Sequence, residues 1–260
     1  MFDKLVNKMK SLNKWEKISV LGKDYKVRKH WFWKEYRETG WEPQTVETYR
    51  KFLRKDCVYV DVGVWVGLTI MYAKRLGCDR IYGIEANPVM YAMTEDTLHK
   101  NRDTRDVSLS HLCITDKDGG FVDFGGGELS SAASVRGHNW KVPSSRLMTW
   151  FKQQNIPAEA PLFVKVDIEG AETMAMEDFI ELSARPNVVL YLSLHPKFIE
   201  DRKATWDKLS RVYHSFKTVF DSSGEPLAIE RLQAMFMANE EFPTWGTKFG
   251  NFFEITLVNR

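Results

Sequence analysis

The stretch Cys57-Val-Tyr-Val-Asp-Val-Gly-Val-Trp-Val-Gly-Leu68 decides the fold of this chain. A short apolar run ends at Asp61, Gly63 and Gly67 follow four positions apart, and helical spacing continues to Gly77. This order predicts a strand, a tight loop and a helix, with a ligand lying across the glycines. The simpler alternative is a turn in which Asp61 caps the helix.

Asp61 indicates which kind of ligand the loop binds. A carboxylate there would repel the pyrophosphate of a dinucleotide, and the G-x-G-x-x-G spacing of NAD-binding loops is absent. A ligand that brings a cation fits better, and the α-ammonium of S-adenosylmethionine (AdoMet) is such a cation. Glu85 ends the next apolar run, residues 81–85, where it can accept both hydroxyls of a ribose. These two acids predict an AdoMet-dependent methyltransferase.

Length and composition favour one large α/β domain. The chain has 260 residues, 43% of them hydrophobic, and a formal net charge of +2, so it can enclose a substantial core. No apolar run reaches the roughly 20 residues that a membrane span needs, and we expect no signal peptide. Cys57, Cys78 and Cys113 have neither pairing nor metal-ligand spacing. Free thiols in a reducing, cytoplasmic compartment are the simplest expectation.

Residues 1–45 are predicted to be an extension and a candidate lid, and residues 46–260 the AdoMet-binding methyltransferase domain. Residues 2–15 predict an amphipathic helix that packs on its own domain or lies on a membrane surface. Residues 18–27 alternate around Gly22 as a hairpin does. The first 60 residues hold 15 Lys and Arg against 8 Asp and Glu. This segment could meet an acidic substrate, a lipid surface or nucleic acid, or form a solvated charged face.

Aromatic and basic residues are interleaved over residues 29–37, and Trp41 lies just beyond them. Such a cluster can stack on sugar rings or on bases. The same aromatic side chains could instead close the core, and the sequence leaves both interpretations open.

From Cys57 onward strands and helices alternate, which is typical of a parallel sheet covered by helices. Asn87 and Pro88 open one helix, and Ser144 or Ser145 is expected to cap another that runs through Phe151. Residues 125–139 are rich in glycine and serine and predict a mobile lid. Strands are predicted at 57–60, 81–85, 107–115, 121–124, 162–167 and 188–195, helices up to about residue 183 and at 201–213, and a terminal antiparallel pair at 218–220 and 252–258.

A second group of chemically active residues follows the strand at 162–167. Asp167 is expected at the open carboxyl end of that strand and Glu169 in the loop above the cofactor, while His195 ends the next strand. A sugar hydroxyl is too weak an acid to ionise near neutral pH, so His195 is the first candidate for a general base, with Asp167 or Glu169 orienting it or the substrate. A divalent cation held by these three residues is the second possibility. His195 could also be a core or capping histidine, and Asp167 a structural partner of Lys165.

These segments, in this order, resemble the FkbM family of methyltransferases from about residue 41 to residue 196. The resemblance implies a Rossmann-like α/β fold, with a seven-stranded, mostly parallel sheet, helices on both faces and a reversed terminal hairpin. It also implies AdoMet as donor and O-methylation, usually of sugar hydroxyls in surface polysaccharides, glycolipids or glycosylated natural products. The motifs that carry it are Val60-Asp-Val-Gly-Val-Trp-Val-Gly67, Ile84-Glu-Ala-Asn-Pro88, Ile114-Thr-Asp-Lys-Asp-Gly119 and Lys165-Val-Asp-Ile-Glu-Gly-Ala-Glu172.

By position, the resemblance implies three groups of cofactor contacts. The methionine end is assigned to Asp61, Gly63 and Gly67, the ribose to Glu85 with Ala86 and Asn87 beside it, and the adenine to Cys113 and Ile114. The chain also departs from the family pattern. Val64 replaces a usual alanine and narrows the loop, and Ala86 replaces a usual proline. Met148 and Ser193 stand where carboxylates are usual near the acceptor.

We therefore expect an AdoMet-dependent O-methyltransferase that acts on a hydroxyl of a sugar in a glycan, glycolipid or glycosylated metabolite. The alternatives are a nucleic-acid methyltransferase, although no Asn-Pro-Pro-Tyr-like motif follows the fourth strand, and a non-catalytic AdoMet-binding protein. The expected partner is a small-molecule or glycan substrate and not nucleic acid. Peripheral membrane contact through the N-terminal helix stays open, and the sequence does not decide the oligomeric state.

Overall fold

The computed structural model describes residues 14–126, 135, 137–238 and 252–259. The strands are β1 (Trp15–Val20), β2 (Lys23–Arg28), β3 (Val58–Val62), β4 (Arg80–Glu85), β5 (Ser108–His111), β6 (Cys113–Ile114), β7 (Phe121–Phe124), β8 (Trp140–Ser145), β9 (Leu162–Val166), β10 (Val188–Leu194), β11 (Thr218–Phe220) and β12 (Phe253–Asn259). The α-helices are α1 (Phe32–Thr39), α2 (Pro43–Phe52), α3 (Leu68–Arg75), α4 (Pro88–Lys100), α5 (Leu147–Gln153), α6 (Met176–Ser183), α7 (Arg202–Ser215) and α8 (Ile229–Ala238). Short 3₁₀ turns cover Ala171–Met174 and Pro196–Phe198.

Seven strands form the central sheet in the order β11-β12-β10-β9-β3-β4-β5. Strands β3, β4, β5, β9 and β10 pair in parallel, whereas β12 runs antiparallel to both β10 and β11. The predicted Rossmann-like sheet with a reversed terminal pair is confirmed. The chain leaves β3 toward β4 on one side and reaches β9 and β10 on the other, so the strand order switches between β3 and β9. Open α/β sheets bind ligands outside the carboxyl ends of the strands at such a switch.

Helices cover both faces of the sheet, and alternate residues of β3 belong to opposite cores. Val58, Val60 and Val62 pack on the face covered by α5 to α8. Tyr59 packs on the other face, with Tyr49 of α2 and Ile70 of α3. Because both faces are covered, every residue of β3 is buried, as expected for a central parallel strand.

The predicted hairpin at residues 18–27 is confirmed as β1 and β2, which pair antiparallel around Leu21 and Gly22. Both turn residues have positive φ, 45° and 78°, which suits a two-residue turn with the twist of its strands. Residues 2–13 of the helix predicted at 2–15 lie outside the described residues. Trp15, at the end of that range, belongs to β1 and is not helical. The division of the chain after residue 45, inside α2, and the lid role of the extension stay predictions.

Two sequence-based predictions are wrong in detail. The strand predicted at 107–115 is divided, because β6 leaves the main sheet and pairs with β8 in a three-stranded sheet of order β6-β8-β7. Ser144 and Ser145 end β8 and do not cap α5. The first N–H of α5, that of Leu147, donates instead to Asp178 Oδ2 at 2.8 Å. Most of the predicted lid at 125–139 lies outside the described residues.

The three cysteines are buried free thiols, as predicted. Within the described ranges, no helix is long and apolar enough to cross a membrane.

Candidate functional site

A cavity opens at the carboxyl ends of β3, β4, β9 and β10, at the switch point of the sheet. Ten of the twelve predicted site residues line it, namely Gly63, Val64, Glu85, Ala86, Asn87, Cys113, Ile114, Asp167, Glu169 and His195. Asp61 and Gly67 do not. The fold therefore brings most of the predicted cofactor residues and all three predicted acid–base residues to one space.

The glycine loop connects β3 to α3 and packs tightly against β9. Gly63 has φ +87°, and a Cβ built on it would lie 1.9 Å from the backbone oxygen of Asp167. Only glycine lets the ends of β3 and β9 approach so closely. Gly67, with φ +82°, begins α3 and would place a Cβ 3.1 Å from Thr94. Val64, which departs from the family pattern, fills the space beside Gly83. A Cβ built on Gly83 would lie 2.7 Å from Val64 Cγ2.

Glu85, the predicted ribose ligand, is fixed at the end of β4 by backbone donors. The N–H groups of Asn87 and Trp65 donate to its two carboxylate oxygens, each at 2.7 Å. Burial raises the pKa of Glu85 to about 7, although these N–H groups lower it. Asn87 also caps α4, because its Oδ1 accepts from Val89 N at 3.0 Å. Glu85 is therefore held in one orientation at the carboxyl end of β4.

Asp61 is fully buried, and it is not among the residues that line the cavity. Its Oδ2 accepts from the Thr69 hydroxyl at 2.5 Å, and its Oδ1 lies 3.4 Å from Lys165 Nζ. Lys165 also lies 3.4 Å from Asp167 Oδ2 and donates to the Gly63 carbonyl at 3.1 Å. Burial raises the pKa of Asp61, and Lys165 opposes the rise. Direct contact of Asp61 with the cofactor's ammonium stays a prediction, and the carboxylate already has a cation beside it.

His195 lies at the end of β10 within a group of carboxylates. Its Nδ1 is 2.9 Å from Glu172 Oε1, and its Nε2 is 3.6 Å from Asp167 Oδ1 and 3.7 Å from Glu169 Oε2. Glu172 is 0% exposed and also accepts from the Ile168 N–H at 3.1 Å. It therefore orients the imidazole so that Nε2 faces the other two carboxylates. Sequence reasoning gave Glu172 no role, although it ends the motif that contains Asp167 and Glu169.

The charges in this group shift its pKa values together. Burial lowers the pKa of His195, but Glu172, Asp167 and Glu169 raise it by more, to about 9. Burial raises the pKa of Glu169 to about 7, and the positive charge of His195 opposes that rise. Near neutral pH, the imidazole of His195 is therefore protonated, and Glu169, with a pKa of about 7, is about half protonated.

Asp167, Glu172 and His195 could also surround a metal ion, because one ligand atom from each lies within 4.8 Å of the others. This set differs from the predicted one, which contains Glu169 in place of Glu172. Glu172 Oε1 is already engaged by His195 Nδ1 and the Ile168 N–H, so it supports the histidine and does not face the cavity. A metal held by Asp167, Glu169 and His195 stays a prediction.

The interleaved aromatic residues divide between core and cavity. Phe32 and Trp33 are each 1% exposed and close the core, whereas Trp31 is 45% exposed. Trp31, Phe32 and Trp41 line the cavity together with Trp65 of the glycine loop, whose ring centroid lies 4.6 Å from that of Phe32. Phe32 and Trp33 therefore close the core, as one interpretation predicted, whereas stacking of Trp31 or Trp41 on a sugar or base stays a prediction.

Two departures from the family pattern concern carboxylates near the acceptor. Met148 is 9% exposed and packs in the core. Ser193 pairs across β10 and β12 with Glu254, and facing residues on neighbouring antiparallel strands lie close together. A carboxylate is thus present on the next strand beside Ser193.

The comparisons with known proteins agree with this geometry. Residues 56–221 match the sequence model of the methyltransferase FkbM domain, and no curated protein sequence matches the chain significantly. Similar solved structures include a magnesium protoporphyrin IX methyltransferase from Synechocystis with bound SAM, at 11% identity over 90% of this chain and 86% of that one, with a TM-score of 0.48. A TehB-like SAM-dependent methyltransferase from Corynebacterium glutamicum is 7% identical over 88% and 96%, with a TM-score of 0.45.

The family match covers more than half of the chain and includes both glycine-loop and acid–base motifs. It supports the assignment independently of the structural similarities. The protein belongs to the FkbM family of AdoMet-dependent methyltransferases.

Proposed function

We propose that this protein transfers the methyl group of AdoMet to a hydroxyl of a sugar in a glycan, glycolipid or glycosylated metabolite. One observation carries the proposal: Asp167 and Glu169 lie within 3.7 Å of His195 Nε2, in the same cavity as the glycine loop and Glu85. A hydroxyl needs such a group because it must lose its proton during attack.

Bound AdoMet supplies an electrophilic methyl group on a sulfonium. The task of the protein is to align the acceptor hydroxyl and to take its proton. Because the pKa of His195 is raised to about 9 and that of Glu169 to about 7, a carboxylate accepts the proton near neutral pH. The imidazolium, held by Glu172, balances the charge. This assignment revises the expectation that His195 is the base and that Asp167 or Glu169 orients it or the substrate, and His195 and Glu169 titrate as a pair.

The charges around the cavity favour a neutral acceptor over nucleic acid. Glu42, Asp167 and Glu169 line the cavity, and their carboxylates would repel a phosphate backbone. Several basic residues of the N-terminal segment are already paired, as Arg28 is with Asp96 and Arg37 with Glu16. The exposed ring of Trp31 at the cavity offers an apolar face on which a sugar ring can pack.

The test is transfer of labelled methyl from AdoMet to panels of glycans, glycolipids, nucleosides and RNA, with products identified by mass spectrometry. We expect an O-methyl ether on a sugar. Methylation of RNA with a steep dependence on salt, or AdoMet binding with no transfer to any hydroxyl compound, would contradict the proposal.

Variants separate the acid–base group from general structure. Glu169→Gln and His195→Ala should each lower kcat by about 100-fold or more. The parent's kcat/KM should rise with pH through about 7, and Glu169→Gln should lose that step. Glu177→Gln is the matched control, because Glu177 is exposed on α6 and pairs with Arg211. If Glu169→Gln kept both the rate and the pH step, the proposed base would be wrong.

A further inference from the structure

One buried cation faces four carboxylates beside the glycine loop. Lys165 lies 3.4 Å from both Asp61 and Asp167, and the charges of Glu42 and Glu254 also act on this group. Buried carboxylates are stable only when cations or hydrogen-bond donors compensate them. A single lysine cannot compensate four carboxylates, so either protons or a second cation must neutralise the rest.

The four carboxylates differ in access to the cavity. Asp61 is 0% exposed and Glu254 is 2% exposed, and neither is among the residues that line the cavity. Asp167 lines it but is shared between Lys165 and His195. Glu42 lines the cavity directly, as does Thr45 of α2.

Glu42 also lacks the donors that Glu254 has. Gln44 Nε2 donates to Glu254 Oε2 at 3.2 Å. The Thr45 hydroxyl lies 3.4 Å from both Glu42 Oε2 and Glu254 Oε1, but its one proton can serve only one of them. The same hydroxyl also lies 3.0 Å from the Tyr191 hydroxyl. In the part of the chain that the structure describes, Glu42 therefore has at most this one shared hydroxyl donor, and it lines the cavity.

The backbone holds Glu42 in this position at an energetic cost. Trp41 and Glu42 are consecutive non-glycine residues with φ of 36° and 46°, and Pro43 follows as the first residue of α2. Left-handed backbone is unfavourable for residues with a Cβ and persists where the surroundings enforce it, often at ligand sites. The strained turn directs the Glu42 side chain to the cavity.

We propose that Glu42 binds the α-ammonium of AdoMet, whereas Asp61 acts through Lys165 and the Gly63 carbonyl without touching the cofactor. An ammonium carries three N–H donors and a positive charge, which supplies both things that Glu42 lacks. The inference needs only the cofactor of the family and is independent of which acceptor receives the methyl group.

The test measures binding without catalysis. Isothermal titration calorimetry compares S-adenosylhomocysteine with its desamino analogue, in which hydrogen replaces the α-ammonium. The parent should bind S-adenosylhomocysteine more tightly. Glu42→Gln should weaken that binding about 10-fold or more and leave the desamino analogue unchanged. Glu47→Gln, at an exposed position on the helix α2 that follows Glu42, should change neither.

Asp61→Asn distinguishes the two acids. If it alone abolished the preference for the ammonium, Asp61 would be the direct ligand and the proposal would be overturned. Equal loss of both ligands in Glu42→Gln would also overturn it, because it would indicate a structural role. Glu42→Gln removes a carboxylate that repels Glu254, so its apo form should unfold at the same or a higher urea concentration than the parent.

Proton release gives a second readout. Burial and the charge of Glu254 raise the pKa of Glu42, Asp167 adds to the rise, and Lys165 and Thr45 oppose it. An ammonium beside Glu42 lowers that pKa, so binding should release protons at neutral pH, measured as a dependence of the binding heat on the buffer. The desamino analogue should release fewer, because it leaves only the ribose contact with Glu85. Equal release for both ligands would contradict the proposal.

Discussion

Replacement of Lys165 by methionine tests the charge balance on which the centre of the site depends. Lys165 is 5% exposed, pairs with Asp61 and Asp167 at 3.4 Å each, and donates to the Gly63 carbonyl. Methionine keeps most of the volume but removes the charge. Loss of one partner of a buried ion pair costs about 3–5 kcal/mol, because the other charge stays buried. We expect a loss of that size in urea unfolding at pH 8.

The pH dependence of this loss provides a check on its cause. Burial raises the pKa of Asp61 and Lys165 holds the rise back, so Lys165→Met should raise that pKa further. A folded state with a raised carboxyl pKa binds more protons than the unfolded state, so the free energy of unfolding falls as pH rises. The destabilisation should therefore be complete at pH 8 and shrink toward pH 5.

Two controls limit the interpretation of this experiment. The double variant Lys165→Met/Asp61→Asn should recover most of the lost stability, because the uncompensated charge is gone. Lys152→Met, at an exposed position on α5, should change stability by less than about 0.5 kcal/mol. A loss below about 1 kcal/mol in Lys165→Met, or no recovery in the double variant, would refute the reasoning about the buried charges.

Three further variants test single features. Glu85→Gln should weaken AdoMet binding about 10-fold or more in calorimetry, since the ribose loses a charged acceptor; unchanged affinity would refute the ribose assignment. Gly63→Ala should lower the free energy of urea unfolding by about 2–5 kcal/mol, because its Cβ would meet the Asp167 backbone, whereas Gly119→Ala, with nothing within 4 Å, should lose only about 1–2 kcal/mol. Asp178→Ala should lose about 2 kcal/mol or more, because the first N–H of α5 loses its acceptor; a loss below about 0.5 kcal/mol would contradict that role.

The sequence predicted those parts of the fold whose signals are local. The run that ends at Asp61, the glycines after it and the cap at Asn87 each lie within a few residues, and β3, α3 and α4 follow them. The division of the predicted strand at 107–115 could not be read in this way, because it depends on β8 pairing with β6. The cap of α5 likewise comes from Asp178, 31 residues away.

The site shows the same limit. Residues that end neighbouring parallel strands, such as Glu85, Asp167 and His195, could be grouped from the sequence because parallel strands end at one edge. Glu172 could not be given a role, since its contact with His195 depends on how the 3₁₀ turn after Gly170 packs against β10. The ion pair between Asp61 and Lys165 could not be predicted for a similar reason, because it joins two strands that lie far apart in the sequence.

The docking of the hairpin on α4 links both ends of the substrate-binding machinery. Asn101 and Thr97, at the last turn of α4, bind the backbone of β2 at Lys26 and Arg28, and α4 begins three residues after Glu85, at Pro88. Trp31, which lines the cavity, lies three residues after the end of β2. Helix α4 thus connects Glu85, the predicted ribose ligand, to the segment before Trp31, the residue proposed to meet the acceptor. Engineering of acceptor selectivity can therefore begin at the far end of that helix, remote from any reacting atom.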